Sequence, residues 1–343
     1  MPWLSRRTTP PSGGGLRLAS SLGQSLLGLA IVCGLWLLLA RSFAAANAQR
    51  ITPGWQISRP PSEVTCLAVL GAGLWAGGKD GLTIVDRASG RQRPLPSGAP
   101  SFAHVRALLL DSHGTLWVGH DGGLAAYADG HWRDFSGAGL PVPSALSLLE
   151  DHRGVLWIGS AGQVAQHDGT GFRLLQIPKE FKLASADVLY EDSAGTLWIG
   201  CASPTYGGLV SNANGEWRRY SVRDGLPHPT VNMILEDSRG VLWVATGFAN
   251  RGGVAKMSRG QWSALTKRDG LAGWKVRSVF EDRQGRLWFG SEYDGVAVLS
   301  GGGWRVIPPS AGLAGREVKA VVQDEAGVYW LGTDSGLSRI PSI

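Results

Sequence analysis

The chain has 343 residues, including 50 glycines and 15 tryptophans, and a formal net charge of +6. Four of its 33 basic residues precede residue 49, where no acidic residue occurs, so the remainder holds 29 basic against 27 acidic residues. Because no dense basic stripe appears in that remainder, the charge does not indicate a nucleic-acid-binding protein.

The first 48 residues contain two predicted segments. Residues 1–21 are rich in Pro, Gly and Ser and carry Arg6, Arg7 and Arg17, which is typical of a disordered basic tail. Residues 22–48 contain an apolar run and the small-residue site Ala46-Asn47-Ala48. They are predicted to be either a signal peptide cleaved after Ala48 or an uncleaved membrane anchor. Both alternatives place the following residues outside the cytoplasm.

Residues 49–343 form a tandem array. One tryptophan marks each copy: Trp75, Trp117, Trp157, Trp198, Trp243, Trp288 and Trp330. Successive copies are 42, 40, 41, 45, 45 and 42 residues apart. A period in this range indicates a propeller, a solenoid or another array.

The second copy shows what one repeat contains. VRALLL is followed by an Asp-x-x-Gly turn, then LWVG, LAAYAD and HWRDF with Gly-containing turns between them. These are four short strand-like runs without a helical period. Four-stranded antiparallel units at this spacing are blades of a β-propeller. The sequence therefore predicts an all-β, seven-bladed propeller over residues 49–343.

Two periodic features are predicted to be structural. The aspartate of the Asp-x-x-Gly turn can cap its own turn. These aspartates are Asp111, Asp151, Asp192, Asp237, Asp282 and Asp324. In four repeats a glutamate precedes the aspartate, yet the fixed position in each repeat favours turn capping over a metal or acid/base site. The repeated tryptophans are likewise interpreted as packing between blades.

The last repeat predicts how the ring closes. It ends after three strand-like runs, the last being GLSRI, whereas the other repeats have a fourth run such as EWRRY or GWRVI. Before the first repeat, residues 54–57 read GWQI and match that fourth run. We therefore expect the N-terminal segment to supply the outer strand of the last blade, which would complete the domain at residue 343. Cys66 and Cys201 would then lie on opposite sides of the ring as free thiols.

The repeat resembles the two-component regulator propeller repeat, D-x-x-G-x-L-W-[IV]-G-T-x-x-G-G-L, over residues 51–343. The Gly-Leu pairs in the preceding loops, such as Gly225-Leu226 and Gly270-Leu271, also fit. The resemblance implies a periplasmic sensor domain for saccharides or other nutrients, of the kind found in membrane-bound histidine kinases and diguanylate cyclases. This chain has one ring and no recognisable connector, second span, kinase or cyclase domain, so the resemblance implies binding without catalytic output.

The predicted binding face carries the loops between second and third strands, which are longest in the fourth and fifth blades. The predicted ligand-binding residues at the channel mouth are Tyr206, Asn232, Asn250, Arg251, Trp274, Arg277, Tyr293 and Lys319. Three of them belong to a column of polar positions in the innermost strands. The mixture suits a polar or anionic ligand. The alternatives are that the loops are merely variable and that the polar column only contacts channel water.

The leading functional hypothesis is a non-catalytic extracytoplasmic binding propeller that passes a signal to a separate two-component or cyclase signalling protein. Its partner would be a small polar or saccharide-like ligand or a membrane sensor kinase or cyclase, with membrane contact only through an uncleaved N-terminal segment. No cofactor, metal, nucleic-acid or nucleophile motif is recognisable. The alternatives are a lyase or hydrolase using His120, His228 and Glu292 at the channel mouth, or an envelope scaffold.

Overall fold

The computed structural model describes residues 52–137 and 139–343. The tail and the signal or anchor segment predicted over residues 1–48 lie outside these residues. Within the described ranges, no helix has the length and apolar character needed to cross a membrane.

Seven four-stranded antiparallel sheets form the blades of a propeller, which confirms the predicted fold. In blades 1 to 6 the strands run in chain order from the channel outwards, and in blade 7 the outermost strand is β1. Blade 1 comprises β2 (Cys66–Leu70), β3 (Gly73–Gly78), β4 (Gly81–Asp86) and β5 (Gln92–Arg93). Blade 2 comprises β6 (Val105–Leu110), β7 (Leu116–His120), β8 (Gly123–Ala128) and β9 (His131–Asp134). Blade 3 comprises β10 (Ser147–Glu150), β11 (Leu156–Ser160), β12 (Gln163–His167) and β13 (Phe172–Leu174).

The remaining blades repeat this arrangement. Blade 4 comprises β14 (Val188–Glu191), β15 (Leu197–Cys201), β16 (Gly208–Ala213) and β17 (Glu216–Tyr220). Blade 5 comprises β18 (Val231–Glu236), β19 (Leu242–Phe248), β20 (Arg251–Ser258) and β21 (Gln261–Leu265). Blade 6 comprises β22 (Val276–Glu281), β23 (Leu287–Ser291), β24 (Val296–Ser300) and β25 (Gly303–Ile307). Blade 7 comprises β26 (Val318–Gln323), β27 (Tyr329–Thr333), β28 (Gly336–Ile340) and β1 (Gln56–Ser58). Short 3₁₀ turns at Lys179–Phe181, Val222–Asp224, Lys267–Asp269 and Pro309–Ala311 lie between blades.

The core lies between neighbouring blades. Six of the seven repeat tryptophans are buried, with Trp288 and Trp330 at 0 % exposure, and Trp117 is partly buried. The small residue two positions after the tryptophan allows the next blade to approach closely. A Cβ on Gly200 would come within 2.5 Å of Val231 Cγ1, and one on Gly332 within 2.5 Å of Val64 Cγ1. Any larger side chain there would push the blades apart.

The turn aspartates cap their turns as predicted. In blade 5, Asp237 Oδ1 accepts from the backbone N–H groups of Arg239 and Val241, both at 3.0 Å. Its Oδ2 accepts from the Trp243 indole N–H at 2.9 Å, a bond that the sequence analysis did not anticipate. The same aspartate–tryptophan bond occurs in the other five repeats that have the turn aspartate. The aspartate therefore fixes both the turn and the orientation of the core tryptophan.

The ring closes through the N-terminal strand, as predicted. Strand β1 pairs antiparallel with β28, with Gln56 opposite Arg339 and Ser58 opposite Leu337. Nearby, the Thr52 N–H donates to the Ala311 carbonyl at 3.1 Å. The last blade thus gains its fourth strand from a segment that precedes the first blade.

The ends of the strands define two faces. On one face, here called the loop face, the hairpins between second and third strands bond to the segments that enter the innermost strands. Examples are Gly247 N–H to Thr230 O at 3.0 Å and Glu292 N–H to Lys275 O at 3.2 Å. The turn aspartates lie at the other ends of the same strands, on the turn face.

Candidate functional site

Most of the predicted polar column coincides with irregularities in the innermost strands. In blades 2, 5, 6 and 7 the pairing with the second strand shifts at one residue. The residues at these bulges are Arg106, Asn232, Arg277 and Lys319. A bulge leaves one residue outside the regular ladder and re-aims its side chain. Polar side chains are therefore placed at one height beside the channel on the loop face.

Arg277 and Lys319 are brought together by Glu317. The Arg277 guanidinium lies 2.6 Å and the Lys319 ammonium 3.4 Å from the two carboxylate oxygens of Glu317. Lys319 also lies 2.5 Å from Glu63 Oε1, across the closure of the ring. Burial disfavours ionised Glu63, yet the hydrogen bond and charge of Lys319 outweigh it and lower the pKa of Glu63. These two glutamates were not among the predicted site residues.

Asn232 connects blades 5 and 6. Its amide nitrogen donates to the Gly247 carbonyl at 3.1 Å and to the Val276 carbonyl at 2.8 Å. Its carbonyl oxygen is buried and has no hydrogen-bond partner among residues 52–137 and 139–343. Asn232 therefore holds the seam between two blades and keeps one unused acceptor.

A second ion pair lies at the same seam. Lys275 Nζ is 2.6 Å from Glu292 Oε1, and the two side chains are only 11 % and 15 % exposed. In the part of the chain that the structure describes, the other carboxylate oxygen of Glu292 is buried without a hydrogen-bond partner, as is the hydroxyl of Thr230. Unused hydrogen-bonding capacity is thus concentrated where blades 5 and 6 meet on the loop face.

The loop face of blades 4 to 6 also exposes aromatic rings. In the described part of the chain, the three most exposed aromatic side chains are Tyr206 at 74 %, Phe248 at 49 % and Tyr293 at 46 %. They occupy the hairpins between second and third strands of three successive blades. Both tyrosines are among the predicted residues, whereas Phe248 is not, although it lies in one of the two longest of these hairpins.

The other predicted residues occupy the same sector. Asn250 and Arg251 are exposed in the blade 5 hairpin, and Trp274 is half-buried in the segment entering blade 6. The Arg268 guanidinium lies 5.9 Å from the centre of the Trp274 ring. The eight predicted residues therefore lie on the loop face of blades 4 to 7, but only Arg277 and Lys319 share a direct partner.

The three acid/base candidates of the enzyme alternative have separate local partners. His120 Nδ1 accepts from the Gly122 N–H at 3.1 Å in blade 2. His228 Nδ1 accepts from the Thr230 N–H at 3.1 Å beside blade 5. Burial lowers the pKa of both histidines, and the Arg251 charge lowers that of His228 further. Across residues 52–137 and 139–343, no group of three or more His, Cys, Asp or Glu side chains could hold a metal ion.

Three segments of the chain match the family model described as "Two component regulator propeller": residues 139–162, 225–248 and 272–293. The predicted resemblance is therefore confirmed for these repeats, two of which contribute the loop face of blades 5 and 6. No curated protein matches this chain.

Several solved structures share the fold. One is the extracellular domain of a protein described as a hybrid two component system from B. thetaiotaomicron, at 19 % identity and a TM-score of 0.70. The match covers 84 % of this chain and 41 % of that one, so this chain spans about two fifths of that extracellular domain. Another is catalytically inactive virginiamycin B lyase from Staphylococcus aureus with quinupristin, at 14 % identity and a TM-score of 0.65, covering 84 % and 99 %.

A third is PorZ of Porphyromonas gingivalis, an essential surface component of the type-IX secretion system. It is 15 % identical, with a TM-score of 0.62, and the match covers 82 % of this chain and 46 % of that one. At such identities the likeness concerns the propeller fold, which carries sensing, lyase and secretion functions alike.

Proposed function

We propose that this chain, a seven-bladed propeller with two-component regulator propeller repeats, is a non-catalytic extracytoplasmic binding module for a separate two-component or cyclase protein. The observation that carries the proposal is where the family repeats fall. Two of the three matched segments end in the hairpins of blades 5 and 6 that expose Phe248 and Tyr293. Segments that match a regulator-propeller family thus form the part of the loop face, at blades 5 and 6, that has exposed aromatic rings and buried polar atoms without hydrogen-bond partners in the described part of the chain.

The proposed route out of the cytoplasm is the apolar segment of residues 22–48, acting as a signal peptide or as an anchor. Export would place the propeller in the compartment where sensor kinases and cyclases present their input domains. The proposed partner is such a membrane protein, and the proposed ligand is small and polar or saccharide-like.

The proposed binding site comprises Tyr206, Asn232, Asn250, Arg251, Trp274, Arg277, Tyr293 and Lys319. Its support is the geometry of the channel mouth. Ion pairs already hold Arg277 and Lys319 in place, so a ligand would meet preorganised donors at a small entropic cost. Asn232 and Glu292 supply acceptors that have no partner in the described part of the chain.

A thermal-shift screen of the full chain in mild detergent against sugars, sugar acids and amino acids tests this function. A ligand that stabilises the fold should bind about tenfold more weakly, or about 1.4 kcal/mol, to each of Arg251→Ala, Trp274→Ala and Arg277→Ala. Lys79→Ala serves as the control, because Lys79 is exposed in the blade 1 hairpin on the same face. Equal affinity in all four variants would place the site elsewhere.

A further inference from the structure

Three aromatic side chains on the loop face of blades 5 and 6 each have an arginine beside them. Arg316 lies with its guanidinium carbon 5.8 Å from the centre of the Tyr293 ring, and Arg268 lies at 5.9 Å from Trp274. Arg251 is the cross-strand partner of Phe248 in the blade 5 hairpin. Aromatic residues and arginine are the side chains that dominate protein–protein hot spots.

These three arginines form no salt bridge in the part of the chain that the structure describes. In the described ranges, no ion pair within 4.0 Å joins Arg251, Arg268 or Arg316 to an acidic residue. The segments 247–252, 266–275, 291–295 and 308–317, which carry this surface, contain four acidic residues.

All four of those carboxylates are already engaged. Asp269 accepts from the Thr266 N–H and hydroxyl at 2.8 and 2.9 Å. Glu292, Asp294 and Glu317 pair with Lys275, Lys267 and Arg277 at 2.6, 3.4 and 2.6 Å. Asp269 keeps its charge beside Arg268, because its hydrogen-bond donors are neutral, and Asp334 Oδ1 accepts from the Arg316 backbone N–H at 2.9 Å. The four segments hold five basic residues against their four carboxylates, so the surface has a small excess of positive charge next to exposed apolar rings.

The openness of the surface favours a large partner. A small-molecule site usually encloses most of its ligand, whereas the Phe248 and Tyr293 side chains here are 49 % and 46 % exposed on separate hairpins. An apolar recess between blades 3 and 4, lined by Val164, Phe181 and Leu183 among others, lies outside this surface. Rings and charges spread over several segments match an extended chain better than a compact ligand.

We propose that the loop face of blades 5 and 6 docks an acidic polypeptide segment whose carboxylates pair with Arg251, Arg268 and Arg316 while its apolar side chains cover Phe248, Trp274 and Tyr293. This deepens the proposed function and rests on it, since it names the chemistry of the partner. Charge complementarity of this kind raises association rates and selects the partner.

An array of short peptides tests the docking surface. Glutamate alternates with leucine or tyrosine in varied order, and each peptide is printed beside a copy with glutamine in place of glutamate. The full chain in mild detergent should be retained by acidic peptides and not by their glutamine copies. For the tightest peptide, fluorescence anisotropy should show about tenfold weaker binding, or about 1.4 kcal/mol, in the triple variant Arg251→Ala/Arg268→Ala/Arg316→Ala and in Phe248→Ala.

The matched control removes three other exposed cations of the same face. Lys79→Ala/Lys179→Ala/Lys182→Ala changes the net charge equally, but these lysines lie on blade 1 and between blades 3 and 4. Its peptide affinity should equal that of the unmodified chain. The proposal is overturned if no acidic peptide exceeds its glutamine copy, if the control variant weakens binding as much, or if a single-stranded oligonucleotide or free glucuronate binds as well as the peptide.

The two proposals fail in different ways. Without this docking surface, the metabolite screen can still yield a small ligand whose binding depends on Arg277 and Trp274. Without the proposed function, neither a metabolite nor an acidic peptide binds the loop face.

Discussion

At the scale of single residues, the turn aspartate determines the conformation of each repeat. Asp237 is fully buried and accepts from two backbone N–H groups, the Trp243 indole and the Arg239 guanidinium. Burial alone would raise its pKa, but the indole and backbone donors outweigh burial and lower the pKa of Asp237. The ionised carboxylate is therefore the form that the folded repeat requires.

Asp237→Ala should lower the free energy of unfolding by about 1–3 kcal/mol, because buried donors lose their acceptor. Urea denaturation followed by tryptophan fluorescence measures the loss. Glu216→Ala is the control, since Glu216 is exposed on an outer strand. Because Asp237 lies on the turn face, ligand or peptide binding should survive the substitution, and its selective loss would contradict a purely structural role.

The pH dependence of stability in the Asp237→Ala variant tests whether the charge of Asp237 matters. A carboxylate with a lowered folded pKa contributes stability above its unfolded pKa, about 3.9, and that contribution is lost as the pH falls through the folded pKa. The stability difference between the unmodified chain and Asp237→Ala should therefore shrink as the pH drops below about 4. A difference that stays constant down to pH values near 2 would show that the charge of Asp237 is irrelevant.

At the scale of elements, the glutamate that precedes four of the turn aspartates joins neighbouring blades. Glu236 of blade 5 accepts from the Ser193 N–H at 2.6 Å and from its hydroxyl at 2.9 Å, in the turn of blade 4. Equivalent bonds to the preceding blade are made by Glu150, Glu191 and Glu281. Gln323 takes this position in blade 7 and accepts from the Arg283 N–H at 3.1 Å. On the turn face, these bonds join successive blades from blade 2 to blade 7.

A double-mutant cycle measures this contact. Glu236→Ala should destabilise the chain by about 1–3 kcal/mol, whereas Glu236→Gln should retain most of the stability, as the natural glutamine in blade 7 indicates. Ser193→Ala should cost less in the Glu236→Ala background than alone, with a coupling of about 0.5–1 kcal/mol measured by urea denaturation. Strictly additive losses would mean that the bond contributes nothing.

At the scale of the whole molecule, the closure ties the ring together. Strand β1 covers the outer edge of blade 7, and Lys319 reaches Glu63 across the same junction. The contact between Lys319 and Glu63 joins residues that are 256 positions apart in the chain. The outer edge of β28 is therefore paired with β1.

Deleting residues 51–58 should therefore lower the melting temperature strongly and promote aggregation, because the edge of β28 is left unpaired. Scanning calorimetry and light scattering measure both effects. A synthetic peptide of residues 52–60 added in excess should restore the melting temperature, whereas a scrambled peptide should not. A truncated chain that melts like the full one would show that closure does not depend on β1.

The sequence by itself determined the fold, because each blade is specified by short sequence motifs that recur at a fixed period. The Asp-x-x-Gly turn, the tryptophan and the small residue after it recur at one period, and each acts within a few residues of itself. Trp55 could be assigned to the last blade for the same reason, since it matched a pattern already counted in other blades. The side of the ring that carries the candidate site followed from the long hairpins of blades 4 and 5.

Only the tertiary structure decided which polar side chains meet. Glu317 joins Arg277 to Lys319, and Glu63 reaches Lys319 from the opposite end of the array. Arg277 and Glu317 belong to different blades, as do Glu63 and Lys319, so their distances depend on how blades pack and on how the ring closes, neither of which has a period in the sequence. The exposure of Phe248 could not be predicted from the sequence either. An aromatic residue in a hairpin can pack inward or face solvent, and the residues that pack around it determine which of these two orientations its ring adopts.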